Sequence, residues 1–411
     1  MQRSQAEDLD RDDPLAAWAD EFVAAEAGLI YFDGNSLGRL PLRTRARLDA
    51  VVGEWGRDLV RGWAGWIDLP TTVGDRLGAL LGAGAAQVLV CDSTTVNLYK
   101  LASAALDARP GRTAIVTDTG NFPTDRYVLE GLARSRSLDV IQVVTDPIAG
   151  VRREDVAARV GAEVALVTFS HVDYRSGAIA DVAGITADAH AAGALVVWDL
   201  SHAAGAVPVA LDEWGVDLAV GCTYKYLNAG PGAPAWLYVA RRHQSDLVPP
   251  IWGWFGQADQ FAMGPRFEPA AGLTRWLAGT PPVLGLAAVD EGVAMLAEAG
   301  LDALRAKGVA LTGLAEALWA EWLEPLGFAI GSPPIRGSHL ALRHPEAYRL
   351  SRAMIEEAAV VPDFRPPDIL RIGLAPLSTR FVDVWDGFVR IRRLAETGAW
   401  QRYDIEPGRV T

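Results

Sequence analysis

Of the 38 basic residues in the chain only three are lysines, Lys100, Lys225 and Lys307, so chemistry that needs a lysine amine has few candidates. Lys225 follows the apolar run Leu218-Ala219-Val220-Gly221-Cys222 and precedes the turn Gly230-Pro231-Gly232. A lysine amine largely desolvated in a cleft loses its proton more easily and can form a Schiff base with a carbonyl; the plain alternative is an exposed surface lysine. Lys100 falls inside a helical stretch opened near Ser93, and Lys307 on the polar face of a late helix, so both read as ordinary. Upstream, Val196-Val197-Trp198 runs into Asp199. A carboxylate directly after a buried strand is costly unless something pairs with it. It can hold the protonated nitrogen of a heteroaromatic ring and make that ring an electron sink, or it can cap the next helix.

Two further clusters stand at strand ends. Cys91-Asp92-Ser93-Thr94-Thr95-Val96-Asn97 joins a strand to a helix, where free N–H groups and hydroxyls can cup a phosphate or where Ser93 or Thr94 simply caps. Gly120-Asn121-Phe122-Pro123-Thr124-Asp125 offers an aromatic face for a flat ring and a second carboxylate, although such a Phe can be core and such an Asp a turn residue.

The elements that must position these groups follow from hydrophobic patterning. Apolar runs at Val88–Cys91, Thr113–Thr117, Asp139–Val144, Val164–Phe169, Ala194–Trp198, Leu218–Cys222 and Ala235–Val239 alternate with helical stretches. That pattern predicts an α/β fold with a mostly parallel seven-stranded sheet flanked by helices, whose ligands bind beyond the carboxyl ends of the strands. Ahead of it come an acidic arm, a helix over Pro14 to Ala27, the apolar piece Leu29–Phe32 and the turn cluster Asp33-Gly34-Asn35-Ser36. Helical patterns fill 41–57 and 70–81. Residues 249–285, rich in Gly, Pro, Trp and Phe, read as ordered but irregular. Helices over 283–299 and 301–321, strands over 338–343 and 369–373, and helices over 345–358 and 379–397 make a smaller α+β C-terminal domain. We divide the chain into 1–60 (arm and helices packing with the small domain), 61–290 (large domain) and 291–411 (small domain).

A net charge of −13 argues against a nucleic-acid partner, which would need a basic face. No signal peptide and no long apolar stretch is legible, so a cytoplasmic rather than membrane setting is expected. Cys91 and Cys222 sit in apolar runs as buried, reduced thiols, and no spacing suits a metal.

Taken together, these segments resemble the kynureninase family within the fold-type-I, class-V-like pyridoxal-phosphate (PLP) enzymes. The resemblance begins at Tyr31-Phe32-Asp33-Gly34-Asn35-Ser36-Leu37-Gly38 and continues through Phe122-Pro123-Thr124-Asp125, Asp199-Leu200-Ser201-His202 and Thr223-Tyr224-Lys225-Tyr226-Leu227-Asn228. It ends with Gly253-Trp254-Phe255-Gly256, Gly279-Thr280-Pro281-Pro282 and Arg371-Ile372-Gly373. It implies hydrolytic cleavage of L-kynurenine to anthranilate and alanine in tryptophan breakdown, with the 3-hydroxy analogue as a second substrate. Lys225 would carry PLP as a Schiff base, Asp199 would pair with the ring nitrogen, Asp125 and His202 would lie beside the ring and Phe122 on it. Thr94, Thr95 and Tyr224 would hold the phosphate, with Tyr224 also assisting proton transfers. Arg371 would bind the substrate α-carboxylate, while Ser36 and Trp63, or Trp66 three residues on, would line the aryl pocket. Trp254 and Thr280 would come from the neighbouring subunit of a homodimer. An aminotransferase, a cysteine desulfurase and a non-catalytic PLP-binding paralogue are the alternatives.

Overall fold

The computed structural model describes residues 2–404. The seven apolar runs form a single sheet in the spatial order 88–90, 236–239, 218–221, 195–199, 164–170, 114–118, 139–143. All strands run parallel except Trp236–Val239, which is antiparallel to both of its neighbours. Six strands are buried along nearly their whole length, because helices cover both faces and every side chain needs an apolar environment. Only the edge strand Asp139–Val143 is largely open to water. Alternate residues feed two cores: Val116, Val167, Trp198 and Trp236 on one face, Ile115, Leu166, Val197 and Leu237 on the other.

A third core lies in the smaller domain, between helices and a four-stranded antiparallel sheet in the order 363–365, 369–373, 339–343, 329–330. The chain's beginning belongs to this core. Ile30–Tyr31 pairs in parallel with Val360–Val361, Phe32 is fully buried, and Asp33 bridges to Gly373. A side-chain carbon at Gly373 would fall 1.7 Å from Asn35 Oδ1, so the turn after Phe32 can seat only against glycine. Helix Leu42–Asp58 packs instead along helix Val283–Ala299.

Two expectations about the ends of the chain are corrected. The acidic arm is a helix, Arg3–Asp12, and the helix expected over Pro14 to Ala27 is only a 3₁₀ turn, Ala16–Glu21. Local propensity did not reveal this because the arm is held by docking. Asp10 accepts from the Phe381 and Val382 N–H groups at 2.7 and 3.0 Å, capping the last long helix, Phe381–Thr397, from outside. Arg3 meets Asp386 on that same helix at 2.9 Å. Lys307 is likewise no polar-face residue: it is buried and forms an ion pair with Asp13 at 2.7 Å, the two side chains being 3% and 2% exposed.

Removing one charge of a buried pair strands the other. Lys307→Met is therefore expected to destabilise the small domain by about 3–5 kcal/mol, and Lys307→Met/Asp13→Asn to recover most of that loss. Urea unfolding followed by tryptophan fluorescence measures both.

Candidate active site

A cleft of roughly 150 Å³ opens beyond the carboxyl ends of the parallel strands, where ligands bind in such sheets. Each wall is a strand terminus or the helix that follows it. Asp199 ends the strand Leu195–Asp199, and its Oδ1 accepts from Ser201 N at 2.6 Å. His202 lies in the turn beyond. Tyr224 and Lys225 follow the strand Leu218–Gly221. Thr94 and Thr95 open the helix Thr94–Asp107, with Ser93 Oγ capping it through Val96 N. Phe122 precedes the helix Pro123–Arg136, whose first turn carries Asp125. The cleft thus brings together Thr94, Thr95, Phe122, Asp125, Asp199, His202, Tyr224 and Lys225, all expected from sequence.

Lys225 Nζ is 2.9 Å from His202 Nε2 and 6.0 Å from the centre of the Phe122 ring. Burial, reinforced by the Lys225 charge, pushes His202 well below the usual histidine range, so the imidazole is neutral and can accept from the amine. The other two lysines are committed elsewhere. Lys100 is wholly buried, with Nζ 2.6 Å from Asp92 Oδ2 and 2.8 Å from the Trp276 carbonyl, and Lys307 is paired with Asp13. Neither is the ordinary lysine that the sequence suggests: each is buried and paired with a carboxylate.

Asp125 is buried against Asp199. Desolvation first, and then the neighbouring carboxylate, raise Asp125 well above its ordinary range. Among the described residues no arginine or lysine forms a salt bridge with either acid, and the buried His202 Nδ1 has no partner. This arrangement fits PLP: an acid pair open to a protonated ring nitrogen, a hydroxyl-rich helix start for a phosphate, an aromatic ring beside an amine. Burial also raises Tyr224, so its phenol stays protonated at neutral pH.

The remaining expected residues lie outside this cleft. Arg371 is buried behind its wall; it forms an ion pair with Asp363 and donates to the Tyr174 carbonyl at 2.6 Å and to Ser36 Oγ at 2.9 Å. Trp63 packs on Phe255 and Trp66, with ring centres 6.1 and 5.9 Å away, while Trp66 donates to Glu54 at 3.3 Å. Trp254 packs edge-on against Phe255, and both Trp254 and Thr280 are exposed. Sequence reading missed Ser170, Ser201 and Tyr174, which also line the cleft. Ser170 ends the strand Val164–Ser170, so the same strand-end rule could have found it. Tyr174, edge-on to Phe122 at 5.1 Å, carries no such signal. Both cysteines are buried and unpaired; burial pushes the Cys91 thiol up to about 12 and raises Cys222 as well.

Residues 71–322 match the family description "Aminotransferase class-V" and residues 304–391 match "Kynureninase C-terminal domain". A kynureninase of Burkholderia pseudomallei (strain 1106a) is 42% identical over 410 residues, 97% of either chain. One from Pseudomonas fluorescens is 42% identical over 410 residues, 97% of this chain and 96% of that one. Among solved structures, the apo cysteine desulfurase of Thermococcus onnurineus NA1 superposes with a TM-score of 0.80 at 17% identity, over 95% of this chain and 98% of that one. That last likeness is one of fold alone.

Behind Ser170 and Tyr174 a smaller cavity holds a second acid pair, Asp118 and Asp173. Burial, then the Asp173 charge, push Asp118 up to about 7 from an ordinary 3.8. The folded chain therefore holds a proton that the unfolded chain releases, and stability falls as pH rises from about 4 to about 7. Asp118→Asn is expected to stabilise the protein by on the order of 1–3 kcal/mol at pH 8 and little at pH 4. Thermal melts across that range check the sign.

Proposed function

The chain belongs to the kynureninase family of PLP enzymes, and from that premise we propose that it hydrolyses the Cβ–Cγ bond of L-kynurenine to anthranilate and L-alanine. The observation that carries the site assignment is Lys225: among the three lysines, it alone faces the cleft, with its amine on a neutral imidazole rather than a carboxylate.

When bound, the cofactor supplies a conjugated ring that withdraws electrons from the substrate α-carbon. Asp199 keeps the ring nitrogen protonated, and Asp125, itself holding a proton, adds no second full charge beside it. Phe122 covers one face of the ring. Thr94, Thr95 and Tyr224 hold the phosphate at the helix start. Lys225 Nζ takes and returns the substrate α-proton, with His202 Nε2 accepting a hydrogen bond from its ammonium form. The protonated Tyr224 hydroxyl is the nearby donor for later proton transfers. Water adds to the γ-carbonyl with base assistance; as the β–γ bond breaks the aryl fragment leaves as a carboxylate, and the electron pair left on Cβ takes up a proton. Arg371 holds the α-carboxylate; Ser36 and Trp63 bound the aryl group and favour kynurenine over its 3-hydroxy analogue.

Trp254 and Thr280 serve the site of a second copy, which makes the protein a homodimer. In support, Trp252, Trp254, Phe261 and Met263 are all exposed, and Trp254 packs edge-on against Phe261 and reaches Trp63 through Phe255; exposed apolar residues gathered in this way suit an interaction surface. Among the described residues no helix is long and apolar enough to cross a membrane, and two unpaired buried thiols suit the reducing cytoplasm. The same thiols count against desulfurase chemistry, which needs an accessible, ionised cysteine.

Purified protein with PLP is expected to release equimolar anthranilate and alanine from L-kynurenine, and product more slowly from 3-hydroxykynurenine. No cleavage of either by a yellow protein would overturn the substrate; bulk conversion of the cofactor to its amine form would favour an aminotransferase. Lys225→Ala is expected to lose the visible absorbance and to slow turnover by roughly 10³-fold or more.

A further inference from the structure

Arg371 cannot orient itself. It sits in the strand Ile369–Gly373 and is 1% exposed, so its guanidinium has exchanged water for whatever the protein supplies. The antiparallel strand Asp363–Arg365 supplies it. Its register sets Asp363 directly opposite Arg371, and the two side chains share one face of the sheet. Asp363, also 1% exposed, accepts from Nε and pairs with Nη2. Both nitrogens meet the same oxygen, Oδ2, so the carboxylate sits on the Nε–Nη2 edge of the guanidinium and holds that edge in place. Nη1 then donates to the Tyr174 carbonyl at 2.6 Å and Nη2 to Ser36 Oγ at 2.9 Å. Of the five N–H groups on a guanidinium, the remaining one is on Nη1.

We propose that Asp363 is the positioning residue for Arg371: it clamps the Nε edge so that the two terminal nitrogens present themselves to the substrate carboxylate. Ser36 fills the acceptor place at Nη2 until that carboxylate arrives. The inference rests on the reading above that Arg371 binds the α-carboxylate. A counter-ion needed only for stability could approach from any side. Here the carboxylate takes the Nε edge, and the terminal nitrogens donate to the Tyr174 carbonyl, in a residue that lines the cleft, and to Ser36, in the turn that leads to Gly38, whose N–H donates to the Tyr224 carbonyl at 2.7 Å.

The test compares L-kynurenine with its α-carboxamide on the PLP-loaded enzyme. Arg371→Lys, which tests the underlying reading, is expected to cut the acid-to-amide ratio of kcat/KM by about tenfold or more, the worth of a charge-assisted hydrogen bond. Asp363→Asn is expected to cut the same ratio by about tenfold, through KM for the acid, with kcat and the amide's constants within about threefold of wild type. Asp363 also meets Arg365 at 3.2 Å. Asp363→Asn/Arg365→Gln therefore removes one cation together with the carboxylate, and gives the same readout should the single variant fail to fold. If both substrates suffer equally, or the ratio holds in the Asp363 variants while Arg371→Lys lowers it, the positioning role is overturned. A ratio untouched by Arg371→Lys overturns the carboxylate site itself and the proposal with it.

Discussion

Asp125 and Asp199 lie side by side in a buried place with no arginine or lysine in salt bridge with either, among the described residues. Two desolvated carboxylates side by side disfavour each other's charge, so Asp125 holds its proton more tightly, with the Lys225 amine acting against this. The rest of the cleft is organised around that pair. The sheet brings one acid to the end of a central strand and the helix Pro123–Arg136 brings the other in its first turn. Thr94 and Thr95 stand at another helix start on the same cleft, where we propose that they hold the phosphate.

The three lysines illustrate how burial separates structure from chemistry. Lys100 and Lys307 are the more deeply buried, and each is tied to a carboxylate at 2.6 or 2.7 Å. An amine so committed is not presented to the cleft. Lys225 is half-buried and meets a neutral histidine, a partner that can accept its proton-bearing face without fixing the charge. Fold alone would not have distinguished these cases, and neither would it separate this enzyme from the desulfurases that share its architecture. There the state of the thiols decides, and both are buried and protonated.

The beginning of the chain ties the two domains to one another. Phe32 and Ile30 enter the core of the small domain, Asp33 bridges to the strand that carries Arg371, and Gly38 reaches the Tyr224 carbonyl next to Lys225. A short stretch from Ile30 to Gly38 therefore spans the distance from the residue assigned to the substrate carboxylate to the residue assigned to the cofactor. Close backbone approach is what allows this, since Gly38 lies against Lys225 O and Asn228 with no room for a side chain.

Six strands of the large sheet, buried on both faces and therefore continuously apolar, were legible in the sequence together with the residues at four of their ends, and the more open edge strand Asp139–Val143 was legible from its β-branched residues. The long helices expected over 283–299 and 379–397 were legible from hydrophobic periodicity, and the strand Ile369–Gly373 between them from its apolar run. What sequence did not carry was anything that depends on a partner far along the chain. The helix Arg3–Asp12 forms because Asp10 caps a helix that begins at Phe381. Lys307 is buried because Asp13 meets it, and Arg371 is held by Asp363 because a strand register puts them opposite. Local patterning reports the solvent that each residue expects, and so it determined the elements and the strand-end chemistry; charge pairing requires two residues to arrive at one place, and only the tertiary structure decides which two.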